Sequence, residues 1–250
     1  MPVYLLALLG LCAGVLVEAA VSCYHFSGRL TPRLCCRGCG RPLPVASWIP
    51  VAGPLLLNRT CAACGRPSWF RALQIELATA VTFFVLSGQY WGQPVLLLVS
   101  LAEAALLVAV LFIDLELRLI PTPLIALLVL LALVSAAAWP GLGLWNAILG
   151  GVLGYASFGL LVIAARVVFG EGAFGLGDAN LALAIGCITG YPLVVFALSS
   201  GVFLGGLGAL FMVAVARRGL RSTMPYGPYL VLAVLYVLAH GNTLNPLVRL

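Results

Sequence analysis

Long apolar runs separated by short polar ones fill almost the whole chain, and the pattern predicts about eight membrane-spanning helices at roughly 20 residues each. They run Val3 to Ser22, Ala72 to Tyr90, Pro94 to Ile113, Thr122 to Trp139, Gly143 to Phe169, Ala179 to Gly190, Pro192 to Ala216 and Tyr226 to Ala239. The sixth and eighth are shorter than the roughly 17 apolar residues that a straight crossing needs. Gly190-Tyr191-Pro192 breaks the sixth from the seventh, and Pro225-Tyr226-Gly227-Pro228 opens the eighth. Short or broken helices are tolerated in a bilayer where they line a water-filled cavity or are covered by protein, so a cavity is expected near that proline-rich turn. The first run lacks a basic leader and contains Glu18, so it is expected to stay as a span and not to be cleaved as a signal peptide. The fold class that follows is all-α, a polytopic helical bundle. Three regions are expected: a first transmembrane helix over 1–26, a polar loop domain over 27–71, and a membrane-embedded core over 72–250.

Composition removes the soluble alternative. A chain that is 63% hydrophobic and 8% charged has too little polar surface to cover a soluble core. The net charge of +6 does not point to nucleic acid, because all 13 basic residues are arginines placed by the membrane pattern. Arg29, Arg33, Arg37, Arg41, Arg59, Arg66 and Arg71 fall in or beside the 27–71 segment, and Arg118, Arg166, Arg217, Arg218 and Arg221 in or beside other short loops. Basic loops face the cytoplasm. Crossings that start outside put all these loops inside and both chain termini outside, with Arg249 alone on the far side.

Asp114 and Asp178 are the only aspartates, and each sits where a long apolar run meets a short polar one. Charge at membrane depth is costly and so marks function. Two structural readings compete: Asp178 as a helix cap, and Asp114 as an i to i+4 partner of Arg118. Glu18 and Glu103, inside spans, read as structural glutamates, while Glu76 stands at the turn into the second span. Two carboxylates brought within a few ångströms cannot both ionise cheaply, so one keeps a proton while the other takes one from water.

Within 27–71 the unit Cys-x-x-Cys-Gly-Arg-Pro occurs twice, at Cys36 to Pro42 and at Cys61 to Pro67. Each copy supplies two thiolates from one tight knuckle, with a glycine that lets backbone amides approach the sulfurs. Cys36, Cys39, Cys61 and Cys64 therefore predict a closed, structural Zn2+ site. Paired disulfides are the rival, and the arginine count opposes them by placing the loop in a reducing compartment. Cys35 could replace Cys36 only by lengthening the first knuckle. Cys12, Cys23 and Cys187 read as apolar filling.

These residues together resemble the type IV prepilin peptidases, membrane aspartyl proteases of the Gly-x-Gly-Asp class. The matching stretches are Phe112-Ile113-Asp114 through Leu119-Ile120-Pro121, Gly175-Leu176-Gly177-Asp178-Ala179-Asn180-Leu181, and Met224-Pro225-Tyr226-Gly227-Pro228, with the cysteine repeat, Ile49-Pro50-Val51 and Glu76. The resemblance implies cleavage of the basic leader of prepilin or pseudopilin substrates at the cytoplasmic face of a bacterial inner membrane. Asp114 and Asp178 would be catalytic, and Gly175, Gly177, Pro225 and Gly227 would support the substrate loop. It also implies S-adenosylmethionine-dependent methylation of the new N-terminus, with Glu76 a candidate for the methyl-transfer or substrate-amine site. Three stretches depart from the family pattern: Gly14-Val15-Leu16-Val17-Glu18 replaces Gly-Ser-Phe-Leu-Asn, Gly53-Pro54 replaces Ser-Trp, and Arg59 replaces a glycine that the family associates with methyl transfer. Membrane lipid is the other expected partner, and nothing in the sequence sets the oligomeric state. The alternative from another class is an ion-coupled transporter using the same two carboxylates.

Overall fold

The computed structural model describes residues 3–28, 33–57, 60–67, 69–90, 92–138, 142–169, 175–214 and 225–244. Arg29, Arg59, Glu171, Phe174, Arg217, Arg218, Arg221, Met224 and Arg249 lie outside them. Among the described residues the fold is all-α, with helices α1 (Val3–Ser27), α2 (Trp69–Gln89), α3 (Pro94–Leu117), α4 (Thr122–Ala138), α5 (Leu144–Phe169), α6 (Leu176–Thr189), α7 (Leu193–Ala214) and α8 (Gly227–Leu244). They follow the order of the predicted spans. By length and composition α1, α2, α3, α5 and α7 can each cross a membrane, whereas α4, α6 and α8 are shorter apolar helices. The fourth span, expected to be an ordinary crossing, thus joins the sixth and eighth. The chain divides into two compact units, Met1–Phe112 and Ile113–Leu250.

In the first unit α1 packs against α2 through Gly10 and Gly14, four residues apart on one face of α1. A methyl group at Gly10 would stand 2.6 Å from Ala80 Cα, and one at Gly14 would stand 2.5 Å from Glu76 Cα. Lipid tails are as apolar as leucine, so close backbone approach holds helices together in a membrane where hydrophobicity cannot. One turn beyond Gly14, Glu18 Oε1 accepts from Arg71 Nη1 at 2.6 Å in a buried ion pair. The polar segment folds onto the end of α1. Leu34 is buried against Val15 and Ala19, with Leu43 and Trp48 at its edge, and the Cys35 N–H donates to Ser22 Oγ at 3.1 Å.

The second unit is built around α6, which packs against α4, α5, α7 and α8. Its 14 residues rise only about 21 Å, short of a roughly 30 Å hydrocarbon core. Ala179, Leu181, Ala182, Ala184 and Ile185 are fully buried, so the short helix is covered by protein, the condition under which a bilayer tolerates it. The α5–α6 seam is glycine against backbone. A methyl group at Gly150 would overlap the Gly186 carbonyl, and one at Gly154 would overlap that of Ala182. Asn146 fixes the turn after α6 with two bonds to Tyr191, donating to its carbonyl and accepting its N–H, each at 3.0 Å.

Candidate active site and cysteine centre

Asp114 lies in the last turn of α3, which ends when Arg118 takes a left-handed conformation, φ +53°, and donates its N–H to the Asp114 carbonyl at 2.9 Å. The side chain of Asp114 is buried, and its Oδ2 has no hydrogen-bond partner. Gly227, the first residue of α8, lies against that carboxylate: a methyl group there would stand 2.7 Å from Oδ2. Here glycine is needed for proximity.

Asp178 is the third residue of α6. Its N–H donates to the Gly175 carbonyl at 3.1 Å, and its Oδ2 accepts the Gly175 N–H at 3.3 Å. Asp178 is therefore not the N-cap, which is Gly175, but the third residue of the helix, whose carboxylate reaches back to the N-cap N–H. That bond occupies one oxygen and leaves the carboxylate half-buried, within reach of the charge on Asp114. Gly177 faces Ile120, where a methyl group would stand 3.2 Å from the Ile120 Cβ. Gly175 itself is exposed, with the Asp178 carboxylate as its near neighbour. The stretch after α3, the start of α6 and the start of α8 thus converge.

Tyr226 was quoted in the sequence only as part of a motif, and its placement makes it part of this neighbourhood. Its ring fills a notch on α7 at Gly205, where a methyl group would stand 2.6 Å from ring atoms. Its hydroxyl donates to the Val202 carbonyl at 3.0 Å, and the Asp178 charge reaches it. Pro225 precedes it, half-buried.

The two cysteine knuckles have one geometry because they have one sequence. In each, the glycine N–H returns to the carbonyl of the first cysteine (Gly40 to Cys36 at 2.7 Å, Gly65 to Cys61 at 2.8 Å), and both glycines sit at φ +69°. Cys36 Sγ lies 3.5 Å from Cys64 Sγ and Cys39 Sγ 3.8 Å from Cys61 Sγ, with all four sulfurs within 4.8 Å of one another. A tetrahedron with metal–sulfur bonds of about 2.3 Å has edges of about 3.8 Å, so the group fits a four-thiolate metal. Backbone N–H groups of Ala63 and Cys64 pull the Cys61 thiol down to about 6, favouring the thiolate that a metal requires. Cys35 stands outside the group and is itself disulfide-bonded, against the expectation of a reducing surrounding for this loop.

Beside the knuckles the first unit holds a cavity of about 440 Å³. Glu18, Glu76, Arg37, Arg66, Arg71 and Ser47 supply its polar walls. Glu76, almost fully buried, accepts the Val51 N–H at 2.7 Å through Oε2. Val51 has φ +61°, a strained conformation for a β-branched residue, and the Glu76 bond holds it there.

Residues 101–210 match the profile of the type IV leader peptidase family, and residues 8–90 match the bacterial N-terminal domain associated with it. A prepilin leader peptidase/N-methyltransferase of Neisseria gonorrhoeae is 30% identical over 204 residues, covering 82% of this chain and 70% of the relative. The chain belongs to the type IV leader peptidase family. Relatives of the same name from Aeromonas hydrophila and Dichelobacter nodosus are 27% and 29% identical, each aligned over 74% of its own length. No solved structure matches the chain. As a member of this family the protein is a multi-pass protease of the inner membrane. The match to the leader peptidase profile spans both aspartates, and the match to the N-terminal domain spans the cysteines and the cavity.

Proposed function

We propose that this leader peptidase cleaves the leader of prepilin or pseudopilin substrates by activating water between Asp114 and Asp178. The observation that carries the reading is the meeting of the two acids: Asp114 is buried with its carboxylate against the Gly227 backbone, and its charge reaches Asp178.

The ionised carboxylate takes a proton from water as the water oxygen attacks the scissile carbonyl carbon. The protonated carboxyl donates to the carbonyl oxygen. Proton transfer to the amide nitrogen then breaks the C–N bond, releasing a carboxylate on the leader and a free amine on the mature chain, and the pair is restored with one proton. The exposed Gly175 leaves room for an extended peptide and Gly177, closed on its open side by Ile120, supports that loop, while Pro225 and Gly227 shape the other side. Arginine placement supports a cytoplasmic active site and cysteine loop, with both termini outside. The four cysteines are read as holding a structural Zn2+, which supplies a closed coordination sphere that orders a segment too short for its own core.

Methylation of the new amine from S-adenosylmethionine is a second activity in this reading. The relatives' names and the polar cavity of the first unit support it. Mass spectrometry of a prepilin-like substrate incubated with detergent-purified protein, with and without S-adenosylmethionine, tests both. Loss of the leader plus one methyl is expected, and Asp114→Asn and Asp178→Asn should each abolish cleavage. Normal cleavage by either variant ends the dyad assignment, and a dependence on an ion gradient with no cleavage of any pilin would favour transport instead.

A further inference from the structure

We infer that residues 45–56 form a membrane-docking surface of the first unit, in which Val45, Ile49 and Leu56 sink into the boundary between headgroups and acyl chains of an anionic lipid leaflet. Two short helices, Val45–Trp48 and Gly53–Leu57, make this surface. They are held backbone to backbone, since a methyl group at Gly53 would stand 2.8 Å from the carbonyl oxygens of Ala46 and Ser47. Ser47 and Pro54 are buried and line the cavity of the first unit, whereas Val45, Ile49 and Leu56 turn outward and are 83%, 49% and 73% exposed. In water that arrangement would leave three large apolar side chains uncovered on a rigid surface.

Their depth in the bilayer decides what covers them. The 21 residues of α2 rise about 31 Å, which matches a roughly 30 Å hydrocarbon core, so Trp69 at its start lies at the membrane boundary, where aromatic side chains collect. Glu76 lies about 10 Å further along the axis, and its Oε2 accepts the Val51 N–H at 2.7 Å. A glutamate side chain and one such bond together span less than that rise, so Val51, between the two short helices, stands inside the level of Trp69. The packing on α1 agrees: Leu34 is buried against Val15 and Ala19, within the stretch Tyr4–Ser22 that is apolar enough to cross a membrane. Apolar side chains exposed at this level meet lipid. On α2 the exposed Phe70, Leu77, Val81 and Phe84 form one stripe at helical spacing, and it begins at the same boundary. Charge selects the kind of lipid. Residues 27–71 hold seven arginines and no acidic residue, and Arg33, Arg37 and Arg41 are exposed. An apolar face sunk about 5–10 Å into the boundary, with arginines at headgroup level, is the combination that binds anionic lipid.

The test is photo-crosslinking of full-length protein in nanodiscs of phosphatidylethanolamine with about one-quarter phosphatidylglycerol, read by intact-protein mass spectrometry. p-Benzoylphenylalanine is placed singly at Val45, Ile49 or Leu56, and at Phe84 as the lipid-facing reference. Lipid adducts at Val45 and Leu56 should form within about threefold of the Phe84 yield and carry phosphatidylglycerol about twofold or more above its share of the disc. Hydroxyl-radical footprinting of the unsubstituted protein in the same discs makes the test independent of the substitutions: Val45 and Leu56 should be oxidised no faster than Phe84. Absence of lipid adducts at all three positions while Phe84 reacts would overturn the inference, as would oxidation of Val45 and Leu56 at the rate of solvent-exposed side chains. Cross-links to a second copy of the chain, or to an added prepilin-like substrate, in place of lipid would make the surface a protein interface instead. Adducts that mirror the composition of the disc would refute the role given to the arginines.

Discussion

Replacing Gly154 by alanine adds one methyl group at the seam that sets where Asp178 stands. That methyl would lie 2.9 Å from the carbonyl carbon of Ala182 and closer still to its oxygen, whereas ordinary contact begins near 3.4 Å. The obstacle is backbone, so neither side can swing away, and α5 and α6 must part by roughly 0.5–1 Å at an overpacking cost of about 1–3 kcal/mol. Ala182 is one helical turn from Asp178, about 6 Å along α6, so the carboxylate shifts by a similar amount. A misplacement of about 1 Å in a reacting group costs on the order of 10²-fold in rate. We expect the kcat for leader cleavage to fall about 10–100-fold with KM within about threefold, because the displaced group acts on the reaction and not on peptide binding. Gly159→Ala is the control: it makes the same substitution in the same helix, where nothing lies within 4 Å. Alanine is also the better helix former by about 1 kcal/mol, so that variant should cleave normally and melt no lower. The assay is initial rates by mass spectrometry over a range of substrate concentrations. A wild-type kcat for Gly154→Ala, in a preparation where Asp178→Asn is inactive, would refute the claim that the α5–α6 seam positions the carboxylate.

Three further outcomes follow from named contacts. Arg71→Met leaves Glu18 buried without its cation and should cost about 3–5 kcal/mol, seen as a lower melting temperature in detergent, whereas combining it with Glu18→Leu should recover most of the loss. Gly227→Ala places a methyl 2.7 Å from Asp114 Oδ2 and should lower the cleavage kcat about tenfold or more, while Gly206→Ala, with open space around it, should not. Tyr226→Phe removes the hydroxyl bond to the Val202 carbonyl, worth about 1 kcal/mol, and should lower thermal stability slightly with a smaller loss of cleavage than Gly227→Ala gives.

The order and class of the helices were legible in the sequence because an apolar run long enough to span a bilayer has few other stable fates. The cysteine centre was legible for a similar reason: a repeated knuckle carries its turn, its glycine and its two sulfurs within a few residues, and the two copies needed only to meet. The pairing of Asp114 with Asp178 was inferred from rarity and motif, and local signals could not show it, because each acid also serves its own helix end.

What only the tertiary structure decided lies wherever residues distant in sequence face one another. Glu18 and Arg71 were read apart, one as a structural acid within a span and one as part of a basic loop, and they proved to be each other's partner. Glu76 was read at the turn into the second span and, from the resemblance, as a methyl-transfer or substrate-amine candidate; it lies within α2, where it holds the strained Val51 and lines a cavity. Gly205 and Tyr226, and Gly154 and Ala182, gave no sign of their relation, since a glycine in an apolar run looks the same whether it faces lipid or another backbone. Hydropathy and local motifs fix which segments are buried and what chemistry they carry. Which backbone comes within contact of which depends on long-range packing, and in this protein that packing sets the surroundings of both the aspartates and the cavity.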